Sequence, residues 1–154
     1  NEKVDGTVAQ NNLRNRVAQT ENESIITRYS YDIHGNVEHL YHELKETSIP
    51  FQMRNFEISY VYDLISGNVN QVRFNEGLKD CFYHRYEYDA DNRLTHVYTS
   101  KDGEVWHNDA RYFYYLHGPL ARIELGEDKV QGLDYYYTMQ GWIGILPRTK
   151  RPTN

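Results

Sequence analysis

Tyr86-Glu87-Tyr88-Asp89-Ala90-Asp91-Asn92-Arg93-Leu94 is the stretch that decides how this chain reads. Tyr-x-Tyr alternates with the period of a strand, so both rings lie on one face. Asp89 then opens a turn, where its carboxylate can accept from backbone amides two residues on. Asn92 tolerates the left-handed conformation that closes a short hairpin loop with a bulge. Leu94 opens the return strand, and Leu94-Thr95-His96-Val97-Tyr98 is short, β-branched and aromatic, as strands are.

The same grammar recurs along the chain. Tyr29-Ser30-Tyr31-Asp32-Ile33-His34-Gly35-Asn36-Val37 and Tyr60-Val61-Tyr62-Asp63-Leu64-Ile65-Ser66-Gly67-Asn68-Val69 precede it. Tyr112-Phe113-Tyr114-Tyr115-Leu116-His117-Gly118-Pro119-Leu120 follows, then a weaker copy, Tyr135-Tyr136-Tyr137-Thr138-Met139-Gln140-Gly141-Trp142-Ile143. The second tyrosines stand at 31, 62, 88, 114 and 137, with spacings of 31, 26, 26 and 23, and ten of the 15 tyrosines fill the two repeat positions. Internal similarity at such a period is the signature of a repeat architecture. The repeat positions are Tyr31, Asp32, Gly35, Tyr62, Asp63, Gly67, Tyr88, Asp89, Asn92, Tyr114, Gly118, Tyr137 and Gly141.

The reading is therefore all-β: tandem antiparallel β-hairpins over residues 25–143, forming a curved meander of about ten short strands. Lys101-Asp102-Gly103, Gly126-Glu127-Asp128-Lys129 and Asn75-Glu76-Gly77 supply the turns between units. Helix is nearly absent, because no segment holds a 3.6-residue apolar period. Residues 1–24 read as an irregular segment in which Asn15-Arg16-Val17 matches Asn92-Arg93-Leu94, the second half of an earlier hairpin. The stretch around Pro50 lengthens one spacing and reads as a surface loop or edge. Residues 144–154, basic and broken by Pro147 and Pro152, read as an irregular tail. The opening Asn1-Glu2-Lys3 reads as processed or excised from something longer.

Composition agrees. At 154 residues the chain can bury a real core, yet its apolar fraction is only 39%, because 15 Tyr stand against 5 Phe. A net charge of −5 and a mean hydropathy of −0.83 argue against nucleic acid as a partner, since phosphate binding needs clustered Lys and Arg. No stretch approaches the roughly 18 apolar residues of a membrane helix. Cys81 is the one cysteine, so no intrachain disulfide forms, and it reads as a small buried hydrophobe.

These repeats resemble the YD repeats of the bacterial Rhs (rearrangement hotspot) family, shared with insecticidal toxin-complex shell subunits and animal teneurins. Tyr86 to Trp142 carries the resemblance most specifically, and weaker matches extend back to about residue 29. It implies that the chain is a segment of a larger β-shell, which encloses a toxin cargo or serves as an extracellular scaffold. Flanking YD repeats would be its partners, and a bacterial secreted or cell-surface protein its source. The Asp-Pro-based self-cleavage motif that ends Rhs cores is not found, and the resemblance stops after Gly144. Two open sheet edges would also favour self-association, or an end folded over an edge.

No catalytic, cofactor or metal site is expected. His39 and His42 have the spacing of a metal pair on a helix, but on a strand they face opposite ways. Asp89-Ala90-Asp91-Asn92 begins like a calcium loop, yet Arg93 and Leu94 stand where an oxygen ligand and glycine are needed. Asp32, Asp63 and Asp89 hold equal places in successive repeats, which makes them turn-formers and not a glycosidase pair. There is no Gly-x-Ser-x-Gly, His-Glu-x-x-His or phosphate-binding glycine loop. Exposed tyrosines, with Trp106 or Trp142, leave one alternative: a carbohydrate-binding or adhesion module with a glycan ligand.

Overall fold

The computed structural model describes residues 9–149, and they fold as two compact units, one ending at Phe82 and one beginning at Tyr83. The first holds β1 (Gln19–Glu21), β2 (Ile25–Tyr31), β3 (Val37–Leu44), a one-turn α1 (Phe51–Arg54), β4 (Asn55–Tyr62) and β5 (Val69–Phe74). The second holds β6 (Phe82–Tyr88), which starts at the boundary, β7 (Leu94–Ser100), β8 (His107–Tyr114), β9 (Leu120–Leu125), β10 (Gln131–Tyr137) and β11 (Ile143–Thr149). Within each unit every strand pairs antiparallel with its neighbour in sequence, so both units are meanders.

The hairpins share one register. The second tyrosine of each copy sits opposite the residue that opens the return strand: Tyr31 with Val37, Tyr62 with Val69, Tyr88 with Leu94, Tyr114 with Leu120, Tyr137 with Ile143. In the first four the register slips immediately before that tyrosine. A bulge following a left-handed loop residue is how a short loop keeps the right-handed strand twist. Gly35, Gly67, Gly118 and Gly141 have φ of 98°, 73°, 109° and 81°, and Asn92 has 60°.

Alternation divides each sheet into two chemically distinct faces. In the first unit one face carries Tyr29, Leu40, Ile58, Tyr60 and Val72, while the other carries Arg28, Tyr41, Glu43, Glu57 and Arg73. The second unit repeats this with Tyr112, Ile123, Leu133 and Ile145 against Arg111, Glu124, Arg122 and Asp134. Few apolar side chains are buried; Tyr31, Tyr83 and Ala110 are those among the described residues. The tyrosine ladder is thus half-buried rather than a closed core: Tyr31 is 8% exposed, but Tyr62, Tyr88, Tyr114 and Tyr137 are intermediate.

One expectation needs correction. The tail expected to be irregular from residue 144 is strand as far as Thr149, because Ile143-Gly144-Ile145 continues the alternation and β10 offers an unpaired edge. Pro147 is compatible with that position, since an edge strand can leave its missing N–H on the outer side. The region after Pro50 is a loop containing α1, and residues 150–154 lie outside the described residues.

Candidate functional site

The repeat positions converge on the turns and on the joints between hairpins. At each turn the residue after Tyr-x-Tyr closes the loop through its N–H: Asp32 to Asn36 (2.9 Å), Asp63 to Asn68 (2.8 Å), Asp89 to Arg93 (2.9 Å), Tyr115 to Pro119 (2.9 Å), Thr138 to Trp142 (3.0 Å). The carboxylates bind the loop from within. Asp32 Oδ1 accepts from the N–H of Gly35 (2.6 Å) and Asn36 (2.8 Å). Asp63 Oδ2 accepts from Ile65, Ser66 and the Ser66 hydroxyl. Asp89 Oδ1 accepts from Asp91 and Arg93, and its Oδ2 from Arg93 Nε at 2.8 Å. Donation by Ser66 and by Arg93 holds the Asp63 and Asp89 carboxyls below the usual range; for Asp32, burial opposes ionisation and the Asn36 and Gly35 bonds outweigh it. Carboxylates engaged this way by their own loops act as turn-formers.

The joints rest on a feature that residue types do not announce. Tyr31 donates its hydroxyl to the Val17 carbonyl (2.9 Å), Tyr62 to Val37 (2.8 Å), Tyr114 to Leu94 (2.8 Å) and Tyr137 to Leu120 (3.0 Å). Each acceptor opens the return strand of the preceding hairpin, or in Val17 its remnant, so each second tyrosine latches its hairpin to the one before. Burial raises the pKa of Tyr62 and Tyr114, which keeps these phenols protonated as donors. At two joints the residue before the acceptor also covers the ring: Arg16 lies 5.3 Å from the Tyr31 centroid and Arg93 4.8 Å from that of Tyr114. Asn15, with φ of 59°, matches Asn92 in conformation as well as in sequence. The acceptor is a backbone carbonyl, which sequence cannot mark; only the repeated opening position after the turn could have hinted at it.

The polar faces hold paired charges. Arg28 meets Glu43 at 2.9 Å, and Arg122 bridges Glu124 (3.1 Å) and Asp134 (2.6 Å). His39 Nδ1 lies 2.8 Å from Glu57, which raises the His39 pKa, whereas His42 faces Thr27 Oγ1 and Phe56, and burial lowers its pKa. The two histidines point to opposite faces. Among the described residues no group of three or more His, Cys, Asp or Glu could hold a metal ion. Trp106 is half-buried: Arg85 covers one face, 4.5 Å from the ring, and its indole N–H donates to Gly103. Trp142 is 74% exposed.

No protein-family model matches the chain, and no curated protein does. Among solved structures it is similar to "Crystal Structure of TcdB2-TccC3-Cdc42", with a TM-score of 0.67 at 17% identity over 86% of this chain. It is likewise similar to "Crystal Structure of TcdB2-TccC3 without hypervariable C-terminal region", with a TM-score of 0.67 at 19% identity over 89% of this chain. The chain spans about 7% of the length of each of those chains. What is shared is the fold.

Proposed function

We propose that this chain is a non-catalytic structural segment of a YD-repeat shell, which encloses a toxin cargo or serves as a scaffold in a bacterial secreted or cell-surface protein. The observation that carries this reading is where the repeat-defining side chains are spent. The aspartates saturate their own turns and the tyrosine hydroxyls latch one hairpin to the previous one. Spending such groups on turns and joints in copy after copy is what a repeating wall needs. The fold shared with TcdB2-TccC3 structures supports the shell, and flanking repeats with an enclosed cargo are its natural partners.

Imaging of the full-length parent protein by electron microscopy tests this, together with limited proteolysis. The expected result is a hollow particle that shields a segment from protease. A parent protein with no further hairpins around this one would refute it.

The exposure of Trp142 favours a second reading, an adhesion module that stacks a glycan. Binding on a glycan array that disappears in Trp142→Ala would establish it in place of the first.

A further inference from the structure

We propose that Arg85 and Asn108, in one row with Tyr98 on the polar face of the second unit, form a binding site for the carboxylate of a ligand. The site lies apart from the repeat turns and the latches, and it adds a recognition role that the shell reading does not contain.

Register brings the residues together. Arg85 of β6 pairs with Tyr98 of β7, and Tyr98 pairs with Asn108 of β8, so the three share one face across adjacent strands. The slip at Tyr98 keeps Arg111, opposite His96, on that face as well. The Arg85 guanidinium carbon lies 4.6 Å from the Tyr98 ring centre and 4.5 Å from that of Trp106. Trp106 is held in turn by its N–H bond to the Gly103 carbonyl at 3.1 Å. Rings grip a guanidinium by its flat face, while its N–H donors point outward in the plane, where a carboxylate meets them as a two-point fork. A guanidinium fixed before the ligand arrives lowers the cost of binding.

Two donors here have no acceptor. Arg85 Nε and Asn108 Nδ2 are buried without a hydrogen-bond partner, and Asn108 is only 7% exposed. Arg111 Nε donates to Asn108 Oδ1 at 3.3 Å, which turns the amide so that Nδ2 faces away from Arg111. Buried donors left unmet are costly and uncommon in a folded chain. Elsewhere Arg28, Arg73, Arg93 and Arg122 each meet a carboxylate, at 2.6–2.9 Å. Among the described residues none pairs with Arg85 or Arg111, whose partners are rings and an amide. The nearby acids are engaged locally. Asp102 Oδ1 accepts from Ser100 Oγ and from the N–H groups of Glu104 and Val105. Glu87 Oε2 accepts from the Tyr98 hydroxyl at 3.3 Å and lies 3.6 Å from His96 Nδ1. Positive charge therefore concentrates here in a chain whose net charge is −5. A ligand carboxylate enters along the exposed part of the half-buried Arg85, and a small turn of either side chain brings the two orphan donors onto it.

The test is NMR on the whole isotope-labelled chain at fixed ionic strength, following Arg85 Nε–H, the Asn108 side-chain amide and the Trp106 indole N–H. The probes are glucuronate and N-acetylglutamic acid α-amide, with glucuronamide as the neutral isostere. Saturable shifts of these signals are expected with at least one acid and not with glucuronamide. A response to glucuronate alone identifies a sugar acid, a response to the glutamate probe alone an acidic side chain, and a response to both a site that reads the carboxylate by itself. Arg85→Gln should weaken binding about tenfold or more, the worth of a charge-assisted bond. Asn108→Asp supplies an internal acid in the same shape and should abolish the response while circular dichroism stays that of the parent chain, so the test survives if Arg85→Gln does not fold. Absence of saturable shifts with both acids, equal shifts with glucuronamide, or unchanged binding in the variants overturns the proposal. None of these outcomes touches the shell reading, which fails or stands on the imaging of the parent protein.

Discussion

Replacing Tyr114 with Phe isolates the latch. The ring remains beneath Arg93, 4.8 Å from its guanidinium carbon, and only the hydroxyl donating to the Leu94 carbonyl at 2.8 Å is lost. Tyr114 and Leu94 are half-buried, so water can partly replace the donor at the abandoned carbonyl. The cost should be that of an ordinary hydrogen bond, about 1 kcal/mol, and not the larger penalty of a sealed orphan. With a urea slope of about 2 kcal/mol/M the unfolding midpoint should fall by about 0.5 M. Both tryptophans, Trp106 and Trp142, lie in the second unit, so tryptophan fluorescence reads the unit that holds Tyr114. Tyr112→Phe is the internal control. It alters the same strand on the same face, opposite Ile123, and should leave the midpoint unmoved. Equal shifts for the two variants, or none for Tyr114→Phe, would show that the hydroxyl latch contributes nothing.

Gly35→Ala should destabilise more than Gly67→Ala, because a Cβ at Gly35 displaces the Arg16 guanidinium from its place over Tyr31 whereas nothing lies near Gly67. Both bear the strain of positive φ, about 1 kcal/mol or more, and thermal melts of the two variants give the comparison. Tyr88→Ala should cost about 2 kcal/mol, less than the 3–5 of a fully buried aromatic, since Tyr88 is only half-buried; chemical denaturation measures it. The depressed carboxyls of Asp63 and Asp89 stabilise the fold above their unfolded pKa, near 3.9, and that contribution is lost as pH falls through the folded values. Urea midpoints should therefore drop below about pH 4, and Asp89→Asn should shallow the drop. His39, raised by Glu57, stabilises below about pH 6.5 and loses this as pH rises through its folded value, whereas burial makes His42 act in the opposite sense. His39→Gln should accordingly remove a loss of midpoint that sets in as pH rises above about 6.5.

The hairpins were legible in the chain itself because their causes are local. Tyr-x-Tyr fixes a face through the strand period, Asp32 and Asp89 reach only to their own turns, and Gly35 or Asn92 marks the place where φ must be positive. Even Asn15-Arg16-Val17 could be recognised as a hairpin remnant by its match to Asn92-Arg93-Leu94, and Asn15 has the matching φ. Contacts between hairpins are another matter. The Tyr31–Val17 and Tyr62–Val37 latches join residues far apart in sequence, and their acceptors are backbone carbonyls that every residue possesses. Which carbonyl meets which phenol depends on register and bulge, decided only when neighbouring strands pair. The same holds for β11. A basic, proline-containing tail carries only the brief alternation of Ile143-Gly144-Ile145, and Ile143–Thr149 becomes a strand because β10 presents an edge with unpaired amides and carbonyls to satisfy. Local chemistry determined the turns, and long-range pairing decided how one hairpin holds the next.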